Sequence, residues 1–580
     1  MSLAGTVRTL RQGRWPGLFE VVSLVVAVVL VALVGVPLVR VLIGMFWVDG
    51  TLTLDPVRRT LAVPDLGTLV LHTVIVVVAS SALAFVIGAV LAWVNERTDA
   101  RMGLLTESLP LLPFLLPPVA GAVGWTMLLS PNAGLLNSWI RDALGVVGIT
   151  LESGPFDIYT WYGLIWVYAV YAVPFVFLNV SAGLRSLDGS LEEASKLSGA
   201  SRLRTLRKVT LPAVAPSLGA GLLLTMWSGF GIFSIPSIIG GPAGIDVLSV
   251  RIVRLLTFTY PPETDVAVGL SLIVVVLVGA VYLVQYRVLR SGRYAAISGK
   301  GVRASVTRLG AWKWPVRAMV LLYVLLSVVL PMVALVLVSL NGYWTPDIDW
   351  GGLSLDAWRD SVTGDRTTMR ALRNSLYLGV VGAVVGILAA ALVAIYIARS
   401  RGLLPRLIDG GIKLPAAISN MVIAVGILLL LAGPPFRLSG TLLILLLGYL
   451  ALYLPQASVA ADAAVSGVGK ELTEASAISG ASTMRTFRRI YLPLIMPGLA
   501  AGWALLFIRM VGDLTASAIL AGTGNTVVGF RILEVYNSGS YALLASLATT
   551  LVVITTGVLL VVLVYTRRKS RFGIETRLGG

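Results

Sequence analysis

Two polar segments of the chain carry nearly the same residues in the same order. SLEEASKLSGASRLRTLRKVTLPAVAP begins at Ser190, and ELTEASAISGASTMRTFRRIYLPLIMP begins at Glu471. In each, helix-forming residues lead to a glycine that can end a helix in the left-handed conformation, and a small polar residue can cap a second short helix. Each segment therefore predicts a helix, a sharp turn and a second helix, an element that another protein can push.

Other residues able to do chemistry are few. The chain has no cysteine and a single histidine, which excludes disulfides, thiolate metal sites and cysteine catalysis. A phosphate-binding loop requires G-x-x-x-x-G-K-[ST], and SGVGKE at Ser466–Glu471 lacks both the first glycine and the final hydroxyl residue. We therefore predict no catalytic residue, no metal site and no cofactor in this chain.

Two charged residues, Arg509 and Asp513, stand in an apolar run that we predict to be a membrane helix. Four residues apart, they share one face of a helix. A charge at that depth costs several kcal/mol unless it is paired. Two interpretations follow: the side chains pair with each other, or they line or gate a pathway.

The elements that must position all these residues are membrane helices. Of the 580 residues, 57% are hydrophobic and 13% are charged, and the mean hydropathy of +0.90 exceeds that of a soluble domain. Crossing a bilayer takes roughly 20 apolar residues, and runs of that length predict an all-α integral membrane protein with about twelve spans. They are Leu18–Phe46, Gly67–Val94, Pro110–Ser130, Trp161–Ala182, Ala213–Gly240, Asp265–Val288, Pro315–Leu340, Asn374–Ile397, Leu414–Ala432, Gly440–Ala463, Pro497–Ala521 and Tyr541–Tyr565.

Lys and Arg indicate the orientation, because short cytoplasmic loops carry the excess of both. With both termini in the cytoplasm, most basic residues and both repeated segments fall on the cytoplasmic side. The net charge of +17 is then mainly a topology signal. We predict the lipid bilayer as a partner and no nucleic acid.

The repeated segments belong to an internal duplication. Pro174 and Gly199 match Pro455 and Gly480 at one constant offset. An even number of helices in each half makes the repeats parallel. We predict a first half at 1–290 with its polar loop at 190–212, a basic cytoplasmic linker at 291–312 and a second half at 313–580 with its loop at 471–493. Ser228 and Ile232 align with Arg509 and Asp513, so a pathway built from both halves would be asymmetric.

The pattern E-A-[AS]-x3-G-x9-[IV]-x-L-P, met at Glu193–Pro212 and again at Glu474–Pro493, resembles the EAA loop of bacterial type I ABC importer permeases. In that family the loop is a coupling helix that docks on the ATP-binding subunit. The resemblance implies the type I importer fold. It also implies a coupling role for Glu193, Ala194, Ser195 and Gly199 and for Glu474, Ala475, Ser476 and Gly480, although Ser195 and Ser476 stand where alanine is usual.

The resemblance also implies the partners. ATP and Mg would be bound by two copies of a separate ABC ATPase subunit on the cytoplasmic side. A separate extracytoplasmic substrate-binding protein would deliver the cargo to this chain in the bacterial cell membrane.

Three stretches, at 153–195, 229–256 (GFGIFSIPSIIGGPAGIDVLSVRIVRLL) and 509–526 (RMVGDLTASAILAGTGNT), show subfamily character. Together with the fusion of two halves in one chain, they look like the ferric-iron-type permeases, a group that also imports thiamine, phosphonates and sugar phosphates. Ferric iron or a ferric chelate is the expected cargo, and the other three remain alternatives. A secondary transporter is the rival class, since it can also have twelve helices in two parallel repeats. It would need no paired helix-turn-helix loops.

Overall fold

The apolar runs form helices because a bilayer offers no hydrogen bonds to an unpaired backbone. The computed structural model describes residues 18–48, 51–291, 306–400, 402–466, 476, 478–481, 483–486, 488–489 and 492–578. Within these ranges, ten helices are long and apolar enough to cross a membrane, and up to twelve spans result if each of two bent pairs counts as one. The predicted all-α membrane fold is confirmed.

The first half contains α1 (Leu18–Gly44), a hairpin of β1 (Trp47–Val48) and β2 (Thr51–Leu52), α2 (Asp55–Leu61), α3 (Leu66–Arg97), α4 (Leu104–Ser108), a 3-10 segment (Leu109–Phe114), α5 (Pro118–Leu129), α6 (Leu135–Val146), α7 (Trp161–Ser186), α8 (Gly189–Leu197), α9 (Arg202–Thr205), α10 (Leu211–Gly231), α11 (Leu248–Val253) and α12 (Thr264–Ser291). Single π-helical turns occupy Leu206–Thr210, Pro236–Gly240 and Arg254–Phe258.

A 3-10 turn (Gly310–Trp312) ends the predicted linker. The second half then contains α13 (Lys313–Val324), α14 (Leu330–Asn341), α15 (Asp356–Arg359), α16 (Arg366–Arg399), α17 (Leu403–Lys413), a 3-10 turn (Leu414–Ala417), α18 (Asn420–Leu431), α19 (Leu442–Ser466), α20 (Thr483–Thr486), α21 (Leu492–Val511), α22 (Thr515–Leu520), α23 (Val528–Asn537) and α24 (Tyr541–Leu578). Its π-helical turns are Leu325–Val329 and Asp360–Gly364.

Two predicted spans, Pro110–Ser130 and Leu414–Ala432, are not straight helices. The chain bends by 90° between Leu105–Phe114 and Pro118–Leu129, and by 105° between Leu403–Ala416 and Asn420–Leu431. Prolines explain the first break, because they lack the N–H that would continue the helix. Each half therefore contains one broken helix at an equivalent place.

Two other predicted spans were too long at their C-terminal ends. Ala213–Gly240 stops being helical at Gly231, and Pro497–Ala521 stops at Val511. Beyond each end the chain turns and starts a separate short element. These turns are buried and therefore also apolar, so hydropathy alone placed the two helix ends too late in the sequence.

A helix near the start of each half packs against a helix of the other half. Helix α1 packs against α18, and α14 packs against α5. A glycine makes both crossings possible: a Cβ on Gly426 would lie 2.8 Å from the Pro37 carbonyl oxygen, and one on Gly124 would lie 2.7 Å from that of Pro331. Backbones can approach this closely only at small residues.

A buried arginine fixes the first polar loop to the membrane helices. Arg97, at the end of α3, donates from Nη2 to the carbonyl oxygens of Leu184 at 2.8 Å and Leu187 at 3.2 Å. Its Nε lies 3.8 Å from Oε1 of Glu192, and the two side chains are only 2% and 7% exposed. Thr210 donates to the same Glu192 oxygen at 2.7 Å. These contacts join α3, α7, α8 and the start of α10.

The chain entering the second half is fixed to the same place. Thr307 N–H donates to the Arg97 carbonyl at 2.8 Å, and Leu309 N–H donates to the Asp99 carboxylate at 2.9 Å. Arg317 Nε donates to the Ala100 carbonyl at 3.0 Å. Of the predicted linker at 291–312, residues 292–305 lie outside the described part of the chain.

The close helix contacts at Gly124 and Gly426 predict that replacing either glycine by alanine destabilises the protein. Ala is the better helix former by about 1 kcal/mol, yet Gly124→Ala and Gly426→Ala should each lower the melting temperature, since overpacking costs about 1–3 kcal/mol. Gly35→Ala is the control, because a Cβ there meets nothing within 4 Å. Thermal melting of the purified chain in detergent measures all three. If all three variants melt at the same temperature, the close helix contacts at Gly124 and Gly426 are contradicted.

The buried arginine predicts opposite outcomes for two adjacent acids. Glu192→Ala leaves Arg97 buried without a counterion and should cost about 3 kcal/mol. Glu193, which is exposed, should change the free energy of unfolding by no more than about 0.5 kcal/mol on replacement by Ala. Denaturant titration in mixed micelles, with hydrogen exchange across 189–210, would show the difference. Equal effects of the two variants would refute this anchoring.

Candidate functional site

The first polar loop has the predicted helix-turn-helix shape. Helix α8 is followed by Gly199 in the left-handed conformation, with φ +79°. The Ser201 hydroxyl then accepts a hydrogen bond from the Arg204 N–H at 3.4 Å, capping α9. Before α8, the Asp188 carboxylate accepts one from the Ser190 N–H at 2.9 Å. This bond and the Ser190 hydroxyl lower the pKa of Asp188.

The described part of the second loop repeats this geometry. Gly480 is also left-handed, with φ +74°, and the Ala481 N–H donates to the Ser476 carbonyl at 3.1 Å, as Ala200 does to Ser195. Ser476 begins the described part, so the predicted coupling residues Glu474 and Ala475 lie outside it.

The two serines that depart from the family pattern close the loops. The Ser195 and Thr205 hydroxyls are 2.9 Å apart in the first loop, and those of Ser476 and Thr486 are 2.8 Å apart in the second. Sequence reasoning treated each serine as a small residue in place of alanine. The aligned threonines ten residues later were the signal that it missed.

The outer surface of each loop carries an exposed apolar side chain. Leu197 is 90% exposed and Ile478, at the aligned position, is 88% exposed. Glu193, Ala194 and Gly199 are exposed on the same segment, and Ser195 is partly buried. Exposed apolar residues that recur at equivalent places mark a protein-binding surface more than isolated ones do.

A cavity of about 280 Å³ lies between the two halves. The broken helix and α7 supply Phe114 and Phe175 to one wall, and the end of α10 supplies Ser228. Helix α19 supplies Gln456, and the end of α21 supplies Arg509. The helix that follows each polar loop therefore ends at this cavity.

Arg509 and Asp513 both line the cavity, but they do not pair with each other. Because α21 ends at Val511, Asp513 is not on the helix face of Arg509. No ion pair within 4.0 Å joins them in the described chain. The structure therefore does not show mutual pairing, one of the two interpretations that the sequence left open, because the helix ends between the two residues.

Each of the two charges has other partners. The Arg509 guanidinium lies 4.7 Å from the Phe114 ring centre and 5.7 Å from that of Phe175. The Asp513 carboxylate accepts hydrogen bonds from the Tyr453 hydroxyl at 2.7 Å and from the Ala516 N–H at 2.8 Å. Arg509 thus reaches across to the first half, while Asp513 caps the next short helix.

The cavity wall differs between the halves, as the sequence predicted. Ser228 and Ile232 line it where the second half places Arg509 and Asp513. Among the described residues, no group of three or more His, Asp or Glu side chains could hold a metal ion.

Comparison with known proteins gives the family. The model of the "binding-protein-dependent transport system inner membrane component" family matches residues 84–292 and again 382–570. A probable ABC transporter permease of Sinorhizobium fredii is 28% identical over 73% of this chain and 74% of its own length. The ferric transport system permease FbpB of Actinobacillus pleuropneumoniae is 22% identical over 90% and 75%.

Other matches are shorter. Over shorter stretches the chain matches permeases named for sulfate, for trehalose and maltose, and for spermidine and putrescine. A bacterial ABC transporter that imports alginate has a chain with a TM-score of 0.37 and 17% identity, covering 44% of this chain and 96% of that one.

The family model matches more than half of the chain, once in each half, on a helical membrane fold in which both polar loops turn at a left-handed glycine. The chain therefore belongs to the family of inner membrane components of binding-protein-dependent transport systems, as a fused two-half permease of the ABC importer type.

Proposed function

We propose that this permease is driven by separate ATPase subunits, two copies of which dock on its two polar loops. ATP and Mg are bound by those subunits, and a substrate-binding protein delivers cargo on the opposite, extracytoplasmic side. Both termini and both loops are cytoplasmic. The docking residues are Glu193, Ala194, Ser195, Gly199, Glu474, Ala475, Ser476 and Gly480.

The observation that carries this proposal is the pair of exposed apolar side chains, Leu197 and Ile478. Fully burying a Leu or Ile side chain contributes about 1.5–3 kcal/mol, a gain that each of these two side chains can make only against a partner. Each stands just before a left-handed glycine that fixes the turn. Two rigid apolar tips suit insertion into two equivalent grooves of an ATPase pair.

The loops connect to the cavity through single rigid helices. Helix α10 runs from the first loop to Ser228 and Gly231, and α21 runs from the second loop to Arg509. A push on α8 reaches α3 and α10 through Glu192 and Arg97. We infer that closure of the ATPases moves the two cavity walls and opens the cavity alternately to either side.

The halves work as two units in this scheme, 1–290 and 313–580, with 291–312 between them. The single chain supplies both halves of the pathway, so each ATPase copy meets one loop. In the second loop Thr473 stands at the place of Glu192, so the acid that anchors the first loop is not repeated. Arg509 and Asp513 belong to the pathway or its gate.

Ferric iron or a ferric chelate is the cargo that we propose. Three relatives are named as ferric permeases, and they match 68–90% of this chain. The relatives named for sulfate, for trehalose and maltose, and for polyamines match shorter parts. Thiamine, a phosphonate or a sugar phosphate is the alternative cargo. The secondary transporter that the sequence left as a rival class does not fit the family to which the chain belongs.

Replacing both apolar tips tests the docking. Leu197→Asp with Ile478→Asp should abolish ATP-driven uptake and remove the ATPase from the purified complex, because a charged tip cannot be buried in a groove. The control, Leu197→Met with Ile478→Met, keeps an apolar tip and should keep both properties. The measurements are uptake in cells and the ATPase copies that co-purify. Uptake at the wild-type rate and an undiminished number of ATPase copies in the aspartate variant would contradict docking through the apolar tips.

A further inference from the structure

We propose that the cargo crosses this cavity as an anion, either an oxyanion or a metal chelate of net negative charge, and that Arg509 recognises it. This inference rests on the proposed import function and adds the charge of the cargo to it. For ferric cargo it excludes the bare cation.

Arg509 brings an uncompensated positive charge to the cavity. Within the described chain its guanidinium has no ion pair and no hydrogen bond, only the faces of Phe114 and Phe175. Stacking on aromatic faces offsets part of the cost of desolvating the guanidinium. It leaves the N–H groups at the guanidinium edge free, and these donors match carboxylate, phosphate and sulfate oxygens.

Within the described chain the nearby carboxylate is held by neutral donors and forms no ion pair with Arg509. Asp513 Oδ1 accepts from the N–H groups of Ala516 at 2.8 Å and Ser517 at 3.1 Å, and Oδ2 accepts from the Tyr453 hydroxyl at 2.7 Å. The residue is only 7% exposed. Asp513 is therefore largely committed to the protein, and the Arg509 guanidinium is the charged group on this wall whose hydrogen-bonding capacity is unused.

One neutral group on the same wall limits which anion fits. Gln456 has a buried Oε1 with no hydrogen-bond partner in the described chain, and an amide oxygen only accepts. It would therefore meet a protonated group of the cargo, such as a hydroxyl of an acid oxyanion or of a chelate, while the Ser228 hydroxyl on the wall can donate.

The arrangement discriminates among the kinds of cargo that relatives of this chain carry. A polyamine or bare Fe³⁺ would meet the Arg509 charge in a poorly screened site, where like charges repel strongly. A neutral sugar would leave the guanidinium without a counterion. Of these kinds of cargo, only an anion could form hydrogen bonds with the Arg509 guanidinium in which both partners carry charge.

Charge variants at Arg509 test the inference in cells that lack the chromosomal copy of this chain. The probes are ⁵⁵Fe citrate, ³⁵S sulfate, ³²P phosphate and ¹⁴C putrescine. Uptake of an anionic probe should depend on the chain. Arg509→Lys should retain much of it, Arg509→Gln should lose about tenfold or more, in line with the loss of charge-assisted hydrogen bonds, and Arg509→Glu should abolish it. The ATPase should co-purify with every variant.

Two results would overturn the inference and leave the importer intact. One is chain-dependent putrescine uptake that Arg509→Gln does not reduce. The other is an equal loss of anion uptake in Phe114→Leu with Phe175→Leu, which keeps the charge and removes only the aromatic contact, since Arg509 would then be a latch between the halves. Loss of the ATPase from the wild-type complex would instead contradict the import function itself.

Discussion

The bilayer imposes the constraint on which the rest of this structure depends. Backbone hydrogen bonds must be satisfied within the chain, so the protein can change shape in the membrane only by moving intact helices. Helices α10 and α21 each have one end at a polar loop and the other at the central cavity. A displacement at the loops therefore reaches the cavity without any helix unfolding.

The two halves share the geometry of their polar loops but differ in the residues that line the cavity. The loops keep the same turn, the same serine–threonine contact and the same exposed apolar tip. The cavity walls do not match: Ser228 aligns with Arg509, and the aromatic Phe175 aligns with Gln456. The matching loops suit the two equivalent docking points that we propose, and the unequal walls let one half present a charge while the other supports it.

Much of this could be predicted from the sequence, because hydropathy and repeated motifs are strong local signals. The membrane class, the broad positions of the spans and the turns at Gly199 and Gly480 were predicted correctly. Helix ends inside the membrane were not, since the turn at Gly512 is as apolar as a helix, and this error made mutual pairing of Arg509 and Asp513 one of two open interpretations. Nor could sequence separate Glu192 from Glu193, because burial depends on where Arg97 lies in space.

The most direct test measures whether a change at the polar loops alters the distance between the two halves at the opposite end of the bundle. The chain has no cysteine, so Tyr162→Cys with Leu443→Cys, at exposed aligned places in the first turns of α7 and α19, can carry the only spin labels. With the ATPase bound, adding ATP should lengthen the distance between the labels, and Leu197→Asp with Ile478→Asp should prevent the change. A distance that lengthens equally in that variant would contradict transmission through the loops.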